Sequence, residues 1–208
     1  MMRRTLLLFF LLFVASNTAT AKHTVFAGTP VDLSAPPGVF ISGGDNFAGQ
    51  WVAQRFSLSV RTHVKAVDLV LLPLENFGGP PFSVLVQLTN AIGPRATATN
   101  VLAWTVFTPP IPNANVFLTL KANLLLAPGN YYLVVSTYSP VGNPADQFQW
   151  PFGGTTGIIG DVAHGFFFTS SSAADVAFPP ASHWTFVFTD GAGPLMFQVR
   201  GVEGAEHK

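Results

Sequence analysis

No stretch of this 208-residue chain holds apolar residues at the helical spacing of about 3.6, while prolines and glycines recur roughly every 8 to 15 residues. That combination excludes long helices and leaves short strands joined by turns, because proline donates no backbone N–H and glycine weakens regular segments. The clearest strand lies within Leu124 to Ser139. There Ala127-Pro128-Gly129-Asn130 forms a turn, with proline presetting φ and glycine and asparagine tolerating the positive φ that follows. Beyond the turn, Tyr131, Leu133, Val135 and Thr137 share one face, and Tyr132, Val134, Ser136 and Tyr138 the other. Both faces are largely apolar or aromatic. This predicts an interior strand covered on both sides, at the centre of a β-sandwich.

Met1–Ala21 reads as a secretory signal peptide. Arg3 and Arg4 form its positive start, Leu6 to Ala15 its apolar core, and Ala19-Thr20-Ala21 a small-x-small cleavage motif before Lys22. The apolar run is too short to span a bilayer comfortably, and no second uninterrupted one follows. The expectation is export by the general secretory route to the extracellular space or periplasm, with no integral membrane segment after signal removal.

The mature chain opens with a turn-rich stretch from His23 to Gln50, in which Val39–Ile41 is one short strand. Strong alternation begins at Trp51. Val52, Phe56, Leu58 and Val60 face inward and Arg55, Ser57, Ser59 and Arg61 outward, while Gln54 interrupts the inward row and is expected at an edge or bulge. A second strand, His63 to Leu74, follows closely enough to pair with the first. Phe82, Val84, Val86 and Leu88 give the cleanest two-residue period, and Val101–Phe107 and Val116–Leu120 precede the Tyr131 hairpin. Shorter pieces lie around Phe148–Trp150, Gly165–Thr169, Trp184–Thr189 and Leu195–Val202. About ten strands at this spacing predict an all-β fold, an antiparallel, jelly-roll-like β-sandwich over residues 22–202, with 203–208 as a polar disordered tail.

Only 10% of residues are charged and 49% are hydrophobic. Without Arg3 and Arg4 the balance is eight basic against ten acidic residues, about −2. Such a surface lacks the clustered lysine and arginine that phosphate backbones require, so no nucleic acid is expected as a partner. The absence of cysteine removes a thiol nucleophile and a cysteine-based metal site.

Enzyme signals are thin. His63, His164 and His183 show no metal-binding spacing, and Ser170–Ser172 lack a Gly-x-Ser-x-Gly elbow. Asp161, His164, His183 and Asp190 would serve a hydrolase or lyase only by converging in a cleft. The expectation is that the chain is not an enzyme and requires no cofactor. The aromatic residues are more informative, since flat rings stack on the C–H faces of sugars while nearby amides satisfy hydroxyls. Trp51, Trp150, Tyr132 and Tyr138, with Gln147 and Gln149, form the candidate platform, and Trp104 and Trp184 are assigned to the core. Asp45 and Asn46 beside Gly43-Gly44 offer hard oxygen ligands to a calcium ion in one loop, and Asp146, with Asn143 and Gln147, does so in another.

Gly49-Gln50-Trp51-Val52-Ala53-Gln54-Arg55-Phe56, the strand Val64–Leu72, and Pro128-Gly129-Asn130-Tyr131-Tyr132-Leu133-Val134-Val135-Ser136 carry a family likeness. The chain resembles the secreted bacterial β-sandwich domains of choice-of-anchor and PEP-CTERM-associated surface proteins over most of residues 45–202. The resemblance implies an exported surface or extracellular-matrix protein. No Val-Pro-Glu-Pro motif or terminal basic cluster follows Gly201, so envelope anchoring is not part of the expectation. The expected role is a non-catalytic module that binds polysaccharide or another surface component. A self-associating structural or adhesive protein is the alternative, and a jelly-roll hydrolase or lyase is third.

Overall fold

The computed structural model describes residues 24–35, 38–42, 49–74, 83–108, 114–138, 147–171 and 179–204. Within them the chain forms β1 (Thr24–Gly28), β2 (Val39–Ser42), β3 (Gly49–Leu58), β4 (Thr62–Pro73), β5 (Ser83–Thr89), β6 (Val101–Phe107) and β7 (Val116–Leu126). It continues with β8 (Gly129–Tyr138), β9 (Gln147–Trp150), β10 (Asp161–Val162), β11 (Gly165–Ser171), β12 (Thr185–Phe188) and β13 (Phe197–Glu203). These strands make an all-β sandwich of two antiparallel sheets. The six-stranded sheet runs β1-β13-β4-β9-β2 with β7 also on β4. The seven-stranded sheet runs β12-β11-β3-β8-β5-β6 with β10 also on β3. Among the described residues no helix is long and apolar enough to cross a membrane. β1 and the two-residue β10 are strands that alternation did not reveal.

The core lies between the sheets and is built from the inward rows that period-two alternation marks. Val52, Phe56 and Leu58 of β3, and Leu133 and Val135 of β8, meet Val67, Leu69 and Leu71 of β4 and Phe197 and Val199 of β13. Each such side chain, fully buried, is worth about 1.5–3 kcal/mol of transfer free energy.

The expected β3–β4 pair does not form. β3 lies between β8 and β11, whereas β4 pairs with β13, β7 and β9 in the opposite sheet. The Ser59–Arg61 link is therefore an arch that crosses from sheet to sheet. The expected hairpin at Ala127-Pro128 is a second arch, since β7 pairs with β4 and β8 with β3 and β5. Crossing lets the inward row of each strand face the other across one core, which a hairpin within a single sheet cannot do. Side chains pin both crossings. Thr62 Oγ1 donates to Val60 O at 3.0 Å, and Tyr131 Oη donates to Ala127 O at 2.7 Å. The Tyr131 ring stacks on Phe56 with centroids 5.8 Å apart.

Gln54 is not at an edge, but it stands where the pairing of β3 breaks between β10 and β11, with Val162 opposite Phe56 and Phe167 opposite Ala53. It occupies the interior of β3, wholly buried, with its amide bonded to backbone groups of two other segments.

Candidate binding face

Because Val52, Phe56 and Leu58 point into the core, Trp51, Ala53 and Arg55 point to the outer face of the seven-stranded sheet. The register carries one lateral row across six strands of that face: Trp104, Gln87, Val134, Ala53, Phe167 and Phe186 stand opposite one another in turn. The middle of the row is covered, with Val134 and Ala53 fully buried. The Pro179–Ala181 turn packs on β8, and Pro180 O accepts hydrogen bonds from Gly93 N–H and Trp184 Nε1–H. The ends of the row are open: Trp104 is 64% exposed on edge strand β6 and Phe186 is 45% exposed on edge strand β12.

Three rings of this face are contiguous. Tyr132 meets Phe167 edge-on with centroids 5.7 Å apart, and Phe167 meets Phe186 at 5.0 Å. Glycine makes room for the last of these, because a Cβ at Gly165 would lie 2.8 Å from Phe186 Cζ. Arg55 stands directly opposite Tyr132 on β3. Its side chain is half-buried, and its Nε is buried without a hydrogen-bond partner among the described residues. Gln87 Oε1 and Ser136 Oγ, both on β strands of this face, are likewise buried and unpaired among the described residues.

The structure redistributes the expected platform. Trp51 and Trp150, assigned to the surface, are buried, at 1% and 0% exposure. Trp150 lies in the core cluster with its Nε1–H donating to Met196 O at 2.8 Å, and Gly38 packs directly on its carbonyl. Trp51 lies under the outer layer, opposite Thr169. A ring that the fold has removed from solvent cannot stack on a sugar, so neither tryptophan is a platform residue. Gln149 is buried too, with an Oε1 that has no partner among the described residues. Trp104, assigned to the core, is the tryptophan on the surface, and Trp184 is half-buried. Of the expected residues whose side chains are described, only Tyr132 joins the aromatic row. The side chains of Tyr138 and Gln147, and the calcium candidates Asp45, Asn46 and Asp146, lie outside the described residues.

Sequence reasoning missed Phe167, Phe186 and Arg55. The signal for Phe186 was present in its shared parity with Trp184 and Phe188, but parity does not say that β12 is an edge.

The histidines and carboxylates do not all gather in one place. His164 and Asp190 flank the paired start of β11 and end of β12, with Asp161 nearby in sequence, whereas His183 precedes the opposite end of β12. All four side chains are exposed. Among the described residues no three His, Asp or Glu side chains form a metal-binding group. On the outer face of the other sheet, the nearly buried Asp68 carboxylate is held by both Nε and Nη2 of Arg200 and accepts from Thr119 Oγ1 at 2.7 Å. This pairing raises the Arg200 pKa, chiefly through the hydrogen bond to Asp68. A shallow groove between the two arches is lined by Ser59, Val60, Arg61, Ala127, Pro128, Glu203 and Gly204, and holds none of the expected aromatic residues.

No protein-family model matches the chain, and no curated protein resembles it at a significant level.

Proposed function

We propose that this chain is an exported, non-catalytic β-sandwich module that binds glycan or exopolysaccharide at a cell surface or in an extracellular matrix. One observation carries the reading: the contiguous rings of Tyr132, Phe167 and Phe186 share an outer face with the partly exposed Arg55, which stands opposite Tyr132. Flat rings favour the C–H face of a pyranose, and a guanidinium on the same face supplies donors for ring hydroxyls or a carboxylate. The resemblance to secreted surface domains and the signal-peptide pattern support export. The separation of His183 from His164 and Asp190 supports a role without catalysis. Calcium, at the Asp45–Asn46 loop or at the loop of Asp146, would be an accessory ion in this reading.

The test is a glycan array and an insoluble-polysaccharide pull-down on residues 22–208, with and without calcium. Retention by one glycan class is expected, falling about tenfold in Tyr132→Ala and in Arg55→Ala, which corresponds to about 1.4 kcal/mol each. Calcium-dependent retention adds the metal site. No retention on any glycan sinks the reading.

A further inference from the structure

We propose that β12 is a self-association edge, across which a second copy of this chain adds its own β12 antiparallel and joins the two seven-stranded sheets into one. Among the described residues β12 pairs on one side only, with β11. Thr189 N–H donates to His164 O, so in the antiparallel ladder Val187 also turns its backbone groups toward β11. Phe186 and Phe188 then turn their N–H and C=O groups toward the open side.

Such an edge invites another strand unless something blunts it. Three of the other edges carry blunting features: β1 has a bulge between Val25 and Ala27 opposite β13. β7 holds Lys121 and a bulge opposite Val64–Ala66, where Asn123 has φ 49°, and β6 lies against β7. β12 has neither a charge nor a proline, and it exposes Phe186, Val187 at 37% and Phe188 at 66%.

The chemistry favours a second copy. Two identical surfaces bring identical charges together, and Thr185–Thr189 carries none. An antiparallel pairing also sets the His183 end of one strand against the Asp190 end of the other, at both ends at once; both side chains are exposed. A two-fold axis normal to the sheet pairs residues of like parity. Centred on Val187, it makes Phe186 of each copy exchange main-chain hydrogen bonds with Phe188 of the other. The same axis places both outer faces on one side, so the Tyr132–Phe167–Phe186 rings of two copies form one longer surface suited to a polymer. The association itself does not depend on the proposed glycan binding.

The chain has no native cysteine, which allows a direct test on the mature protein. Val187 and its symmetry mate form a non-hydrogen-bonded pair in this register, with Cβ atoms about 4.5–5.5 Å apart, near the reach of a disulfide. Mild oxidation of Val187→Cys is expected to give a covalent dimer, while Val60→Cys, exposed on an arch, stays monomeric. Light scattering of the unmodified chain is expected to show its mass doubling with concentration. Phe188→Pro removes an N–H that faces the open side and no internal ladder bond, so it should abolish the doubling. Phe188→Lys should do the same by adding charge, and a retained thermal melt shows that each variant folds. A chain that stays monomeric throughout overturns the proposal. So does a dimer that survives Phe188→Pro, a Val60→Cys variant that cross-links as readily, or open-ended growth, since a two-fold pair closes. Loss of glycan retention with the dimer intact would strike the binding reading alone.

Discussion

The side-chain carbonyl of Gln54 accepts the backbone N–H of Leu195 at 2.9 Å, tying the interior strand β3 of one sheet to the segment that leads into β13 of the other. The same amide donates through Nε2 to Ala163 O and Arg55 O, each at 3.1 Å. One polar side chain thus satisfies backbone groups that would otherwise be orphaned beside the core. Gln54→Leu keeps the volume and strands those groups. A loss of about 2–3 kcal/mol is expected, read as a lower urea midpoint at unchanged slope. A variant as stable as the parent would show that water replaces the amide.

The Tyr131–Ala127 hydrogen bond makes a pH prediction. Burial of the phenol raises its pKa above the usual 10.0. A raised pKa in the folded state means that the stabilisation is fully present below pH 10.0 and declines as pH rises through the folded value. Stability should fall on the alkaline side, and Tyr131→Phe should flatten that limb while costing about 1 kcal/mol at neutral pH through the lost hydrogen bond. Chemical denaturation from pH 8 to about 12 reads both effects. An unchanged alkaline limb in the variant would assign the loss to other groups.

Asp68→Ala removes the acceptor of Arg200 and Thr119 from a nearly buried position. The expected cost is about 2 kcal/mol, because hydrogen bonds to charged groups are stronger than neutral ones and Arg200 can still reach solvent. Arg200→Lys should restore only part of the pairing, since lysine lacks the two-pronged geometry that grips both carboxylate oxygens. Thermal melts of the three proteins give the ranking, and equal melting temperatures would leave the pair without weight.

The tryptophans separate by solvent access. Acrylamide should quench one well-exposed emitter, and Trp104→Phe should remove that component with little change in stability. Trp150→Ala should instead cost about 3–5 kcal/mol by opening a cavity in the core and losing the bond to Met196 O. Easy quenching that survives Trp104→Phe would contradict the placement of these rings.

Local alternation made β3, β4, β5, β6 and β8 legible, because a two-residue period is written into neighbouring residues and needs no knowledge of the partner. Gln54 misled for the same reason. A polar residue in an apolar row looks like an edge locally, yet its partners Leu195 and Ala163 lie 141 and 109 residues away. The four tryptophans show the limit most plainly. Alternation put Trp184, Phe186 and Phe188 on one face of their strand, but whether a face is roofed depends on segments such as Pro179–Ala181, which arrive from elsewhere in the chain.

By itself, then, the amino-acid order determined the class of structure. Turn formers at short intervals and period-two apolar rows leave a chain of low charge no compact solution except stacked antiparallel sheets. The tertiary structure alone decided which strands pair, that Ser59–Arg61 and Ala127–Pro128 cross between sheets, and which strands end as edges. Hydrogen-bond ladders accept any strand of suitable register, so partner choice rests on how all the inward rows fill one core together. Exposure follows from that choice, which is why Trp150 lies in the core and Trp104 and Phe188 face solvent.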